Sequence, residues 1–400
     1  MQGTLRSDFT GHTFRASPAY GLVTFDDLPS SAASALARLR HDNPDLEAVL
    51  LPRRAGGSVK VVAKDGTALL RRLSGPGPIA PRRGPGPIAS GRGPAEGPGP
   101  RVIARLVLDG VLEVRIDGVF VSGPAAVSAL FERLPEPARG TAIAALSVDA
   151  LRYAQALEAT DPAALADRLY RFNRRPLSPR RRRMFPTERA VAERWGLDAS
   201  LDHEGLVGTA RRSHRGDAHW IRWRSLERRE TTGRAVYKLY LSPDPSDLRP
   251  ALLAAASLFR ESPPPLAMKA GRTLSGILRP DKLVVYFEER GELERAADRL
   301  QRRTAGLAAH GVPFTVDWTG DGLLSWGVDP PRALRLPGWK RDDSSWRAWL
   351  ATRLAAALLV AREGGSPAIA PWRFALARVA LEGIDPATWA PDPASWEGAA

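Results

Sequence analysis

Val236-Tyr-Lys-Leu-Tyr-Leu-Ser242 lies in an alternating stretch, Ala235 to Ser242, that reads as a strand with one buried face. His214 to Arg224 alternates in the same way, Ala267 to Ala270 reads as a short strand, and Leu283 to Glu288 is a β-rich run. Leu248 to Phe259 has the spacing of a helix, Glu292 to His310 that of a charged amphipathic helix, and Ser344 to Leu359 adds another. Strand, helix, strand, strand, helix is the order of a mixed α/β (α+β) unit, which the sequence places over residues 186–400.

Outward from that unit, the clearest boundary is Pro76 to Pro100, where 15 of 25 residues are Pro or Gly and Gly-Pro-Gly-Pro-Ile-Ala occurs twice, at Gly75 and Gly84. Such a segment has too few apolar residues to pack, so it is read as a disordered insertion in a small N-terminal domain, residues 1–123. Before it, Ser30 to Arg40 predicts a helix, Ser58 to Ala63 a strand, and Gly66 to Leu73 a further apolar periodicity. After it, Arg101 to Leu108 predicts a helix, followed by strands Val111 to Ile116 and Val119 to Val121 around an Asp117-Gly118 turn. A helix leading into a tight hairpin suggests a winged helix, which can hold DNA or add a peptide to its edge as a strand. Residues 124–185 read as a helical segment, with start signals at Ser147 and Asp161-Pro162, that runs into an arginine-rich linker.

Four hundred residues suit two or three domains, and 44% hydrophobic with 26% charged residues is the ordinary globular range. With no cysteine, disulfides, thiolate metal sites and thiol nucleophiles are all excluded. Met1 to Thr13 lacks the apolar run of a signal peptide, and the longest apolar stretch, Ala355 to Ala361, falls far short of the roughly 20 residues that span a bilayer. A cytoplasmic protein without a membrane partner is expected. The net charge of +14 points to an anionic partner, or simply to an arginine-rich proteome. Gly-x-Gly-x-x-Gly, the phosphate loop ending in Gly-Lys-Ser/Thr, His-Glu-x-x-His and Gly-x-Ser-x-Gly are all missing, which argues against nucleotide, zinc and serine-hydrolase chemistry.

Val236 to Ser242, Met268-Lys269, Arg279 to Phe287, Gly311-Val-Pro-Phe-Thr315 and Leu323 to Pro331 together resemble the HopA-type effector family, in order and spacing. Leu169-Tyr170-Arg171-Phe172 looks like that family's aromatic entry helix. The family includes the lyase partners of class V lanthipeptide synthetases, which look like phosphothreonine and phosphoserine lyases acting after a separate kinase. The resemblance therefore implies a cofactor-free carbon–oxygen lyase in ribosomal-peptide modification, with a kinase-like partner protein.

Eliminating phosphate needs a base for the Cα proton, cations for the departing phosphate and an acid near the bridging oxygen. Lys269, within the apolar run Pro264 to Ala270, is the first choice of base, because desolvation lowers a lysine's pKa. Lys238 is the second choice, and His219, beside Trp220, is the candidate acid, with His214 behind it. Arg272 and Arg279, flanking the loop Gly271 to Gly276, are candidates for phosphate together with Arg171 of the entry helix. Asp281 would orient an arginine; Tyr240, Trp326 and Asp329 would support the site or shape its mouth. No residues suggest a metal. The expected ligand is a phosphorylated or acidic peptide. Two alternatives stay open: a non-catalytic effector-like scaffold, and a nucleic-acid-binding regulator using the wing and the run Arg168 to Arg183.

Overall fold

The computed structural model describes the chain apart from residues 1–2, 10, 29, 43, 54–58, 79–98, 139, 198–209, 214–219, 229–235, 332–344, 365–368, 394–395 and 397–400. It is a mixed α/β protein whose sheets are all antiparallel, and its residues group into two compact units. The first holds residues 1–136 and 353–386, the second residues 137–331, 341–352 and 387–400.

The first unit carries strands β1 (Thr4–Leu5), β2 (Thr13–Ala16), β3 (Tyr20–Thr24), β4 (Leu46–Pro52), β5 (Lys60–Ala63), β6 (Gly77–Pro78), β7 (Leu112–Ile116), β8 (Val119–Val121) and β9 (Phe131–Arg133). They form a four-stranded sheet, β6-β2-β7-β8, a three-stranded sheet, β3-β4-β5, and the pair β1-β9. The hairpin falls where Asp117-Gly118 predicts it: both residues have positive φ, 48° and 85°, as the two central positions of a type I′ turn require. Phe14, Leu112 and Val114 are fully buried beneath it. Pro/Gly content misleads at the ends of the proline-rich segment. Gly77 and Pro78 pair with Phe14 and Thr13, and Pro100 opens the helix Pro100–Leu108, where a missing N–H costs nothing.

The second unit is built on a seven-stranded sheet of β10 (Ala210–Ser213), β11 (Trp220–Ser225), β12 (Tyr237–Leu241), β13 (Ala267–Gly271), β14 (Leu283–Phe287), β15 (Val316–Asp317) and β16 (Leu324–Val328). Their order is β10-β11-β13-β14-β12-β16-β15. Residues directly opposite in an antiparallel pair share a face, so the register divides the sheet into two chemically distinct sides. Trp223, Met268, Val285, Leu239 and Trp326 stand in one row, all buried, on the apolar side. Arg222, Lys269, Val284, Tyr240 and Ser325 stand in a row on the other side, with Ala267, Tyr286, Lys238 and Gly327 beside them. Helix Arg290–Arg303 packs against β12 and β14, burying Leu293, Ala296, Ala297 and Leu300. It stops at Arg303 rather than reaching His310, because the Thr304 hydroxyl donates back to Leu300 and Gly306 turns the chain with φ 86°.

The helical segment is entered by a different cap from the expected one. Thr141, not Ser147, caps helix Ala142–Ala156, while Ser147 lies inside it, bonding Ile143 O and the Phe314 amide. Asp161 does cap Pro162–Arg171, accepting from the amides of Ala163 and Ala164. The first residues of helix Trp346–Glu363 reach the polar side of the sheet, where the Trp346 indole occupies the space a Cβ at Gly327 would need, 2.5 Å from Cδ1. No described helix is long and apolar enough to cross a membrane.

Candidate functional site

The polar side of the seven-stranded sheet is mostly covered, with Lys238, Tyr240, Val284 and Tyr286 buried, but it opens at the β11–β13 end. There Arg222 and Lys269 are partners in the register, both half-buried, and Tyr286 lies beneath them. The Lys269 ammonium is 4.5 Å from the Trp220 ring centroid and 5.6 Å from that of Tyr286, and the Arg222 guanidinium is 5.5 Å from Tyr286. Among the described residues neither cation has a carboxylate within ion-pair distance. Burial lowers the Lys269 pKa, reinforced by Arg222 and Arg279 although opposed by Tyr170 and Asp281, so its amine loses its proton more readily than an exposed lysine. Tyr286 moves the other way, burial pushing it up to about 12.

Trp220 joins this opening to a second group of cations. Arg279 lies over the same indole, 4.9 Å from its centroid, and is held by Asp281 through two bonds, Nε to Oδ1 at 2.8 Å and Nη2 to Oδ2 at 2.9 Å. Arg279 Nη2 also donates to the Tyr170 hydroxyl at 2.9 Å, which in turn donates to Asp281 Oδ2 at 3.2 Å. The fully buried Arg347 forms an ion pair with Asp281 Oδ2 at 2.9 Å and donates to the Tyr170 carbonyl at 2.7 Å. Burial alone would raise the Asp281 carboxyl, but Arg279 and Arg347 hold it far below the usual carboxylate range. One carboxylate therefore fixes two arginines and a tyrosine, and the group keeps excess positive charge.

Beyond this group lies a cleft of about 310 Å³, lined by Tyr170, Arg171, Arg174, Ser275, Gly276 and Arg279 among others. Its floor exists because Gly271 ends β13 directly against the next turn. A Cβ on Gly271 would sit 2.5 Å from the Gly276 carbonyl carbon. Arg174 donates to Ser275 O at 2.9 Å, and its pKa is lowered by burial and then by Arg279 and Arg171, the signature of cations crowded together. Asp281 matches Arg279 and Asp167 matches Arg171, so Arg174, bonded here to a carbonyl, is the cleft guanidinium best placed to meet a phosphate or carboxylate.

Of the residues singled out in the sequence, Lys269 and Arg279 meet at Trp220, Asp281 orients Arg279, and Arg171 lines the cleft while pairing with Asp167 at 2.8 Å. Arg272 turns away to Glu188 at 2.6 Å. Lys238 is engaged by Asp329 at 2.6 Å, and Asp329 also accepts from the Trp346 amide, so this pair anchors a helix. Tyr240 is core, and its hydroxyl pKa is raised well above the ordinary value by burial. Trp326 faces the apolar side, stacked over by Arg290 at 5.1 Å, because it stands one residue out of phase with the open row. His214 and His219 lie outside the described residues. Arg174, Arg222, Tyr286 and Arg347 had not been singled out: Arg222 is found only through the register, and Arg347 lies 177 residues from Tyr170.

No family model matches the chain, and no curated protein matches it. Its fold is similar to that of the effector protein from Pseudomonas syringae pathovar tomato strain DC3000, at TM-score 0.42 and 16% identity over 63% of this chain and 98% of the other. It is also similar to the effector protein from Pseudomonas syringae pathovar syringae strain 61, at TM-score 0.38 and 12% identity over 62% and 96%. A phosphothreonine lyase aligns at TM-score 0.26 and 15% identity over 32% of this chain and 70% of its own. These relationships to HopA-type effectors and to lyases are coarse.

Proposed function

We propose that the second unit binds a phosphorylated serine or threonine side chain of a peptide and eliminates its phosphate, with Lys269 as the base. The observation that carries this reading is the facing pair Arg222 and Lys269, free of carboxylates among the described residues, with the lysine shifted toward its neutral form. In this reaction Lys269 Nζ takes the Cα proton, the electron pair left behind becomes the Cα–Cβ double bond, and the Cβ–O bond breaks with its electrons passing to phosphate. Arg222 and Arg279 stabilise the charge that builds on the leaving group, which is worth most in a site sheltered from water. Lys238 is less well placed as the base, since its buried amine is engaged by Asp329 at 2.6 Å in the pair that anchors the helix start.

The N-terminal helix and hairpin would hold the peptide in the manner of a winged helix, by strand addition at β8, which among the described residues is paired with β7 alone. A separate kinase-like protein would install the phosphate, in a cytoplasmic modification of a ribosomal peptide. The test is to incubate the full chain with a synthetic phosphothreonine peptide and follow its mass. Elimination leaves an unsaturated residue, one water lighter than threonine. A phosphatase leaves threonine itself, and an unchanged peptide that nevertheless binds through its phosphate would make the protein a scaffold.

A further inference from the structure

We infer that the short helix Pro179–Met184 reads a run of acidic residues beside the phosphorylated residue, so the substrate is an acidic phosphopeptide. This deepens the phosphopeptide reading and rests on it for the identity of the neighbouring group. From Arg168 to Arg183 the chain carries eight arginines and no acidic residue. The sequence alone leaves this run open between a solvated linker and a phosphate- or nucleic-acid-binding patch, but the structure pins it at both ends to one loop. Arg174 donates to Ser275 O at 2.9 Å on the rim of the arginine-lined cleft, and Glu188 pairs with Arg272 at 2.6 Å, so the excursion between them leaves from that rim and returns to the same loop three residues away.

On that excursion Ser178 caps the helix by accepting from the Arg181 amide, and Pro179 begins it. Arg181 folds back to Pro176 O at 2.7 Å, whereas Arg180, Arg182 and Arg183 are exposed and have no carboxylate partner among the described residues. Six residues of helix are about 9 Å long. An extended peptide covers that distance in roughly three residues. Three unpaired guanidinium groups over such a length match a triplet of Asp or Glu.

A single-stranded nucleic acid is a competing polyanion, and the aromatic rings disfavour it. Base recognition on a single strand needs exposed rings for stacking, yet every ring interleaved with these arginines is occupied. Phe172 packs on Tyr153 at 5.5 Å, Phe185 on Trp195 at 4.8 Å, and Tyr170 lies beneath Arg279 and Arg347.

The test measures binding of the full chain to fluorescent phosphothreonine peptides by anisotropy at low and physiological salt. The peptides carry three Glu residues on the N-terminal side, on the C-terminal side, or three Gln residues instead; an unphosphorylated Glu peptide and a single-stranded oligonucleotide complete the set. Exposed ion pairs are individually weak, so the Glu run should tighten binding roughly three- to thirtyfold on one side, with the gain shrinking as salt rises. The triple variant Arg180→Gln, Arg182→Gln, Arg183→Gln should lose that gain and keep its affinity for the Gln phosphopeptide within about twofold. Its circular dichroism should be unchanged, because all three residues are exposed. A gain that survives in the variant, or no gain on either side, overturns the inference, as does an oligonucleotide that binds more tightly than the Glu phosphopeptide through these arginines. If the Glu gain depends on them but phosphate adds nothing, the acidic surface stands and the phosphate reading falls.

Discussion

Arg222 and Lys269 face each other across β11 and β13, two cations on one side of a sheet with Tyr286 beneath both and no carboxylate partner among the described residues. Like charges held together in this way repel, and a bound anion removes the repulsion. Replacing Arg222 with Gln should weaken phosphopeptide binding by about 1.5–3 kcal/mol, the range for a hydrogen bond to a charged group. Affinity for the unphosphorylated peptide should not change. Anisotropy titrations with the two peptides check this, and equal losses for both would remove phosphate from the account.

Asp281 holds Arg279 and Arg347 and accepts from Tyr170; Asp281 and Arg347 are buried, Arg279 and Tyr170 half-buried. Asp281→Asn keeps the shape but removes the charge that compensates the buried Arg347 and the half-buried Arg279. Breaking a buried pair from one side costs about 3–5 kcal/mol. Urea unfolding should show a loss of that size, and Arg347→Met in the same background should recover part of it by removing one uncompensated charge.

Gly271→Ala should damage both stability and ligand binding. The added methyl meets the backbone of Gly276 and Ile277 at 2.5–2.9 Å, where no side-chain rotation relieves the contact, and the loop it displaces lines the cleft. A loss of about 1–3 kcal/mol in urea unfolding is expected, as for overpacking elsewhere. Phosphopeptide affinity should fall with it.

Stability should rise with pH through two buried groups. Lys282 Nζ donates to Pro243 O at 2.7 Å and lies 2.8 Å from His310 Nδ1, while His310 Nε2 lies 2.6 Å from Asn173 O. Nε2 thus carries the ring proton and Nδ1 accepts from the lysine. Burial lowers Lys282 to about 7, and burial followed by the Lys282 charge lowers His310 to about 3. Unfolded, these groups titrate near 10.5 and 6.5. The unfolded chain therefore binds more protons between pH 7 and 10.5 through the lysine, and between pH 3 and 6.5 through the histidine. In both windows stability increases as pH rises and is lost as it falls. Thermal unfolding should show a higher Tm at pH 9 than at pH 7 in the wild type, and Lys282→Met should flatten that rise.

The fold was legible where chemistry is local. Asp117-Gly118 names its own turn, and the Asp161-Pro162 start is written in two adjacent residues. Helix ends set by later contacts were not: Ser147 looks like a cap, but tertiary packing turns its hydroxyl to Phe314, 167 residues away. The candidate site followed the same division. Lys269 and the Arg279–Asp281 pair stand out because an apolar run and an i, i+2 spacing carry them. Arg222 needed the strand register, which a period-two pattern cannot supply, and Trp326 was placed at the site mouth when its parity puts it on the opposite face.

The most direct measurement of the central claim compares wild type with Lys269→Met on one phosphothreonine peptide, recording product by mass and affinity by anisotropy in the same samples. A base acts in the transition state and contributes little to ground-state binding. The wild type should therefore release phosphate and leave the unsaturated peptide, while the variant binds within a few fold, stays folded and forms no unsaturated product. Equal product from the variant would contradict the role of Lys269, and no product from the wild type would contradict the lyase itself.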